Sequence, residues 1–282
     1  MEQKRKLECV VTDLDGSLLN KEKQVSPQDL QTIRTLKRKG IPVFIITGRA
    51  FPFARAVTHT LGFDLPACCC NGGHIYNFER EETLFCDPIS RPLGIRLYHY
   101  LMDKGLPFII YTPDKVIFRD RQMKRYQTWV ERNSHVPPED RAVLNCIDEP
   151  DFSPETTTYI KFLVTYVDEA DRLAMLEELG EDAAGLSCVF SEAGMLDVNA
   201  AGVNKGKGVR ELARIFGFDP ANTLALGDNF NDREMLQTCG IAVATSNAEA
   251  DILAIADHVT VDHCSSPITA AVNTLFPGLL EE

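Results

Sequence analysis

The chain has 282 residues, 44% apolar and 25% charged, with a net charge of −12, an ordinary globular profile long enough for one large core or two modest ones. The acidic balance excludes nucleic acid and anionic membrane surfaces as partners, because both require a basic face, and no stretch nears the ~18 apolar residues of a membrane span. Nine cysteines, with Cys68, Cys69 and Cys70 consecutive, form no regular disulfide framework and no paired C-x-x-C zinc spacing, so reduced thiols in a cytoplasmic protein are expected.

The basic start is not a leader, since Glu8, Asp13 and Asp15 interrupt any apolar run. "LECVVTD" reads as a buried strand. "SPQDLQTIRTLKRKG" follows as a helix, with Ser26 as N-cap, Pro27 in the first turn and Gly40 as stop. "IPVFIITG" is a second apolar strand, "FPFARAVTHTLG" a second helix, "PACCCNGG" a third strand and "HIYNFEREETLF" a hairpin turning at Glu79 to Glu81. Apolar strands alternating with amphipathic helices predict a parallel sheet covered on both faces.

From about Phe85 the pattern changes to "PLGIRLYHYLMDKG" as a helix, "PFIIYT" and "KVIFRD" as paired strands, and "RQMKRYQTWVERN" as a helix. Residues 134–157 read as a loop, followed by the strand "YIKFLVTY", the helix "DEADRLAMLEELG" and the strand "SCVFSE". Strand and helix alternation resumes with "VNKGKGVRELARIFG", "NTLALGD", "NFNDREMLQTCG" and "IAVAT", and closes on "HVTV" and "SSPITAAVNTLF". The expected fold is therefore α/β, a Rossmann-like, mostly parallel sheet core (residues 1–84 and 190–282) interrupted by an inserted α+β cap domain (residues 85–189).

Four stretches end a buried run abruptly in polar residues: "VVTDLDGSLLN", "VFIITGR", "GVNKG" and "TLALGDNFND". A strand should not finish in carboxylates without partners, because desolvating a charge is costly. Asp15-Gly16 could be an Asx turn, or the pair Asp13 and Asp15 could mark a metal and phosphate site at the carboxyl end of a parallel strand. Arg49 is either a substrate contact or a surface ion pair. Asn71-Gly72 is either a turn or a substrate-proximal pair, and Trp129 with Tyr126 suits core packing better than a stacking platform. The six histidines are scattered with no ligand spacing.

In this order the four stretches resemble the motifs of the haloacid dehalogenase superfamily, and the whole chain is similar to its Cof-type phosphatases, which carry a large cap between the second and third motifs. The resemblance implies Asp13 as nucleophile and Asp15 as general acid and base. It implies Mg2+ as cofactor, held by Asp13, Asp228 and the Asp15 carbonyl, with Asp232 and Asn231 ordering the metal's surroundings. Thr47 and Lys205 would grip phosphate oxygens, with Leu14 and Gly48 completing the phosphate cradle, while Arg49, Asn71 and Asn247 stand near the substrate. The implied activity is hydrolysis of a small phosphorylated metabolite, a sugar phosphate or a phosphorylated cofactor, under the cap. A phosphomutase of the same fold and a phosphometabolite-binding regulator with little turnover are the alternatives. Ser17 stands where threonine is commoner in that family, and Gly73 where alanine is.

Overall fold

Val10 and Val11 have no exposed surface, because β1 (Cys9–Thr12) is a central strand with a parallel neighbour on each side. The computed structural model describes residues 6–62 and 66–281. After β1 come α1 (Pro27–Arg38), β2 (Val43–Ile46), α2 (Phe51–Leu61), β3 (Ala67–Cys69), β4 (His74–Asn77) and β5 (Glu82–Cys86). Ser26 caps α1 as expected, its hydroxyl accepting from the Asp29 amide at 3.0 Å with Pro27 in the first turn.

The chain then builds α3 (Arg91–Asp103), β6 (Phe108–Tyr111), β7 (Val116–Phe118), α4 (Lys124–Ser134), β8 (Leu144–Cys146), β9 (Lys161–Thr165), α5 (Glu169–Leu179), β10 (Leu186–Glu192) and β11 (Met195–Ala200). It returns through α6 (Lys205–Phe216), β12 (Thr223–Gly227), α7 (Arg233–Thr238), β13 (Ile241–Ala244), α8 (Ala250–Leu253), β14 (His258–Val259) and α9 (Pro267–Leu275).

Two sheets result, and they share no strand. The first runs β14-β13-β12-β1-β2-β3-β4-β5, parallel up to β3 and antiparallel at its β4 and β5 edge. Its alternate residues feed two apolar layers: Val10, Ile45 and Leu224 face one side, and Val11, Phe44 and Ala225 face the other. The mostly parallel α/β core read from the strand and helix alternation is the fold observed.

The second sheet runs β10-β11-β9-β6-β7-β8, antiparallel except between β7 and β8. Period-two alternation sorts its side chains. Phe108, Ile110, Phe162, Val164, Leu196 and Val198 pack under α3 and α5. The opposite face carries Tyr111, Lys161, Leu163, Asp197 and Asn199 toward the first sheet.

Two expectations need correction. The loop expected over residues 134–157 holds β8, which pairs in parallel with β7; three residues flanked by prolines and acids carry too little local pattern to read as a strand. The expected boundary at residue 190 cuts through β10, and β11 also belongs to the second sheet, which ends at Ala200. "MLDVNA" mixes polar with apolar residues, and only its pairing with β9 and β10 assigns it. At the other crossing, Phe85 and Cys86 remain in the first sheet.

Candidate active site

Asp13 follows β1 and Asp228 follows β12, two strands paired side by side. Strand order reverses here, with β2 and β3 on one side and β13 and β14 on the other, which is where open α/β sheets place ligands. Lys205 opens α6 from the same end. Asn204 caps that helix by accepting from the Lys207 amide at 2.8 Å. A Cβ on Gly208 would lie 2.6 Å from Cys68 Sγ, so only glycine lets α6 approach β3 closely enough to seat the lysine.

The Lys205 ammonium is buried and donates to Asp13 Oδ1 at 2.7 Å and to Asp232 Oδ1 at 2.5 Å. Burial opposes its charge, but Asp13 and Asp232 outweigh burial and hold its pKa above the usual lysine range. Burial pushes the Asp13 carboxyl up, Lys205 opposes this, and Asp232 and Asp15 add to it. Asp228 is likewise raised, by burial and then by the charges of Asp13 and Asp232.

Asp13, Asp228 and Asp232 each bring an oxygen within 4.8 Å of the other two. Three carboxylates against one ammonium leave negative charge uncompensated, and hard oxygen donors at this spacing fit a divalent cation such as Mg2+. Asp228 is set by the Ser17 hydroxyl, which donates to its Oδ1 at 2.9 Å. Gly16 has φ +85°, and a Cβ there would sit 2.2 Å from Asp228 Oδ2. Both oxygens of Asp232 are engaged: Oδ1 takes Lys205, and Oδ2 accepts from the Asp228 and Asn229 amides at 2.9 and 3.0 Å. Asp232 therefore positions the lysine and the Asp228 loop. Asn231 donates to Asn71 Oδ1 at 3.2 Å, so it is tied to the turn that follows β3.

Asp15 is clasped by Arg49, whose Nε and Nη2 each donate to it at 2.7 Å, and by Lys23 at 2.7 Å. Burial works to raise its pKa, but Arg49 first and Lys23 after it hold the carboxyl well below the usual range. Arg49 is thus an ion-pair partner of Asp15 inside the site. Thr47 is buried, and its hydroxyl accepts from the Arg49 amide at 3.2 Å. Leu14 is fully buried in the loop, and the Gly48 carbonyl accepts from Lys161 at 2.8 Å.

Asn71 and Asn247 are occupied with protein partners. Asn71, buried at φ 57°, donates to Asp197 Oδ2 at 2.7 Å. Asn247 is exposed and donates to the Gly16 carbonyl at 2.9 Å, supporting the loop from outside. Trp129 stacks on Phe53 with ring centroids 3.8 Å apart and Tyr126 meets Phe118 edge-on, so both pack against neighbouring aromatic rings. The expectation missed Lys161, Asp197 and Asn199. Lys161 pairs with Asp197 at 2.7 Å, both almost fully buried, and Asn199 donates to the Cys70 and Ile160 carbonyls at 3.1 and 3.2 Å. Alternation within "KFLVT" and "MLDVNA" was the available signal, since it sets these three polar groups on one face.

Between the two sheets lies a cavity of about 580 Å³, with Asp13, Asp15, Thr47 and Arg49 at one end and Tyr111, Arg125 and Lys161 across from them. All nine cysteines are free, and no helix among the described residues is long and apolar enough to cross a membrane.

The sequence model of the haloacid dehalogenase-like hydrolases matches residues 10–272. The chain is 28% identical to the pyridoxal phosphate phosphatase YbhA of Escherichia coli over 265 residues, covering 92% of this chain and 95% of that protein. It is 25% identical to the 5-amino-6-(5-phospho-D-ribitylamino)uracil phosphatase YcsE of Bacillus subtilis, covering 94% of each. Among solved structures, a haloacid dehalogenase-like hydrolase from Bacteroides thetaiotaomicron superposes with a TM-score of 0.79 at 22% identity, covering 96% of this chain and all of that one.

Proposed function

Because this chain belongs to the haloacid dehalogenase-like hydrolases, we propose that it is a Mg2+-dependent phosphatase of small phosphorylated metabolites that works through a phosphorylated Asp13. The observation that carries this reading is the buried Lys205–Asp13 contact at the end of β1, with Asp228 close enough to share a cation. The similarity to phosphatases whose names specify pyridoxal phosphate and a phosphorylated ribityl compound supports the substrate class.

Asp13 attacks phosphorus through a carboxylate oxygen, the ester P–O bond breaks, and Asp15 gives the departing alkoxide a proton. Asp15, then ionised, takes a proton from water as the water oxygen attacks the phosphorus of the acyl phosphate, releasing phosphate and restoring Asp13. Lys205 and Thr47 grip the phosphoryl oxygens. Lys205 also works against the burial that favours the protonated form of Asp13. The Arg49 and Lys23 clasp on Asp15 must loosen before proton transfer, and the phosphate dianion of an entering substrate offers both cations another acceptor. Asp13 and Asp228, with the Asp15 carbonyl, would hold Mg2+, whose charge when bound orients the nucleophile and offsets negative charge on the transferring phosphoryl group.

The test is phosphate release from an aryl phosphate and a panel of phosphorylated metabolites. Asp13→Asn is nearly isosteric and still accepts from Lys205, so its melting temperature should stay close to wild type while kcat falls at least about a thousandfold. Chelation should abolish wild-type turnover and Mg2+ restore it. Retention of a few per cent of kcat in the variant, with deamidation excluded, would remove Asp13 from the nucleophile's role.

A further inference from the structure

The cavity carries a positive charge that hydrolysis of a simple monoester does not use. The cations of the first-sheet side are committed, Lys23 and Arg49 to Asp15 and Lys205 to Asp13 and Asp232, and on the second sheet Lys161 is committed to Asp197. The wall across from Asp15 is the face of α4, where Lys124, Arg125 and Arg132 stand at helical spacing around Trp129. None of the three has a carboxylate partner among the described residues. Arg132 lies over the Trp129 ring at 5.1 Å, and Arg125 donates only to the sulfur of Met195, at 2.9 Å.

Arg125 is the decisive member. Its Nε is buried with no acceptor, and a thioether is a weak substitute for an oxyanion. Guanidinium groups are normally satisfied when buried, because an unpaired donor costs its full desolvation penalty. A protein with net charge −12 has many carboxylates that could have been placed here. Among the described residues lining the cavity, Glu192 is the one acid not already paired, and it is exposed. Burial first, then the like charges of Arg49 and Arg125, press down on the Arg132 guanidinium, with Asp15 and Glu192 opposing them.

Building on the phosphatase reading, we propose that the substrate carries a second anionic group besides the phosphate monoester, and that Arg125, flanked by Lys124 and Arg132, binds it. A second phosphoryl group or a carboxylate has the required chemistry, since either accepts two guanidinium N–H donors side by side. The phosphoryl group to be transferred sits at Asp13, and the other anion reaches the α4 wall across a cavity of about 580 Å³, a size that suits a small metabolite.

Three matched substrates test this: a hexose 6-phosphate, the corresponding 1,6-bisphosphate and the 6-phosphorylated sugar acid. The readout is kcat/KM for each doubly anionic compound divided by kcat/KM for the hexose 6-phosphate. Wild type should prefer a doubly anionic substrate by at least about tenfold, the size of one charge-assisted hydrogen bond. Arg125→Gln should lower that ratio about tenfold or more, with partial recovery in Arg125→Lys. If Arg125→Gln melts early, the exposed pair Lys124→Gln/Arg132→Gln carries the same ratio test. The bisphosphate and the sugar acid distinguish a phosphoryl from a carboxylate occupant. Turnover of all three compounds without preference, or a ratio within twofold of wild type in every variant, would overturn the second-anion subsite and leave the phosphatase reading intact. Failure to release phosphate from any of them, or from an aryl phosphate, would overturn the phosphatase reading itself.

Discussion

Asp13 and Asp228 are acids at the ends of buried strands, and their neighbours explain why the fold tolerates them. Lys205 supplies one charge to Asp13, the Ser17 hydroxyl supplies a donor to Asp228, and the absence of a Cβ at Gly16 leaves room for the Asp228 carboxylate. His74 is a buried titratable group of another kind. It has no exposed surface, bonds Thr83 Oγ1 at 2.9 Å, meets Phe51 edge-on and leaves Nδ1 without a partner. Burial pushes its pKa down to about 4, whereas in the unfolded chain it titrates near ~6.5. The unfolded state therefore takes up a proton first as pH falls. The stabilisation is complete above the unfolded value and is lost between about pH 6.5 and 4, by up to about 3 kcal/mol in all. His74→Gln keeps a polar group opposite Thr83 and cannot titrate. Its urea-unfolding free energy should start below wild type at pH 7.5 and converge toward it by pH 4.5; parallel curves would show that His74 takes up its proton equally in the folded and unfolded states, so that burial does not lower its pKa.

β9 and β11 show how alternation turns two ordinary strands into part of a binding wall. Lys161 and Asp197 face the cavity from adjacent strands, nearly fully buried, and the lysine also reaches the Gly48 carbonyl of the second motif. Asp197 Oδ1 has no partner, and its Oδ2 takes both Lys161 and Asn71. Lys161→Met would leave that carboxylate buried with one amide donor, a loss on the order of 3–5 kcal/mol. Adding Asp197→Leu should recover much of it, because the pair's desolvation cost disappears along with its attraction. Chemical denaturation of both single variants and the double variant checks this, and a Lys161→Met cost under about 1 kcal/mol would mean water reaches the pair. The apolar strands β1, β2 and β12 and the capped helices α1 and α6 were readable from residues 7–48 and 203–228, because period and capping are local properties. β8 and β11 were not, because three residues, or a run mixing polar with apolar residues, become strands only through their partners.

At the scale of the molecule, two sheets sharing no strand meet over one cavity, and the chain passes between them near residues 87–90 and 201–204. Residues 88–200 act, in our reading, as a cap that selects the substrate while the first sheet holds the phosphate chemistry. Replacing that segment with a short glycine-serine linker should leave measurable aryl phosphate hydrolysis and flatten the differences in kcat/KM among sugar phosphates. A soluble, folded product with no aryl phosphatase activity would place part of the chemistry in the second sheet. The sequence by itself determined the parallel sheet, the strand-terminal aspartates, the lysine at the head of α6 and the family. Each of these is written in short runs whose period, turn residues and spacing act over a few positions. Only the tertiary structure decided that Arg49 clasps Asp15, that β11 belongs to the second sheet, and that Arg125 lines the cavity with no carboxylate partner among the described residues. Those outcomes depend on strand register and on side chains brought together across tens to more than a hundred residues, which local sequence pattern does not encode.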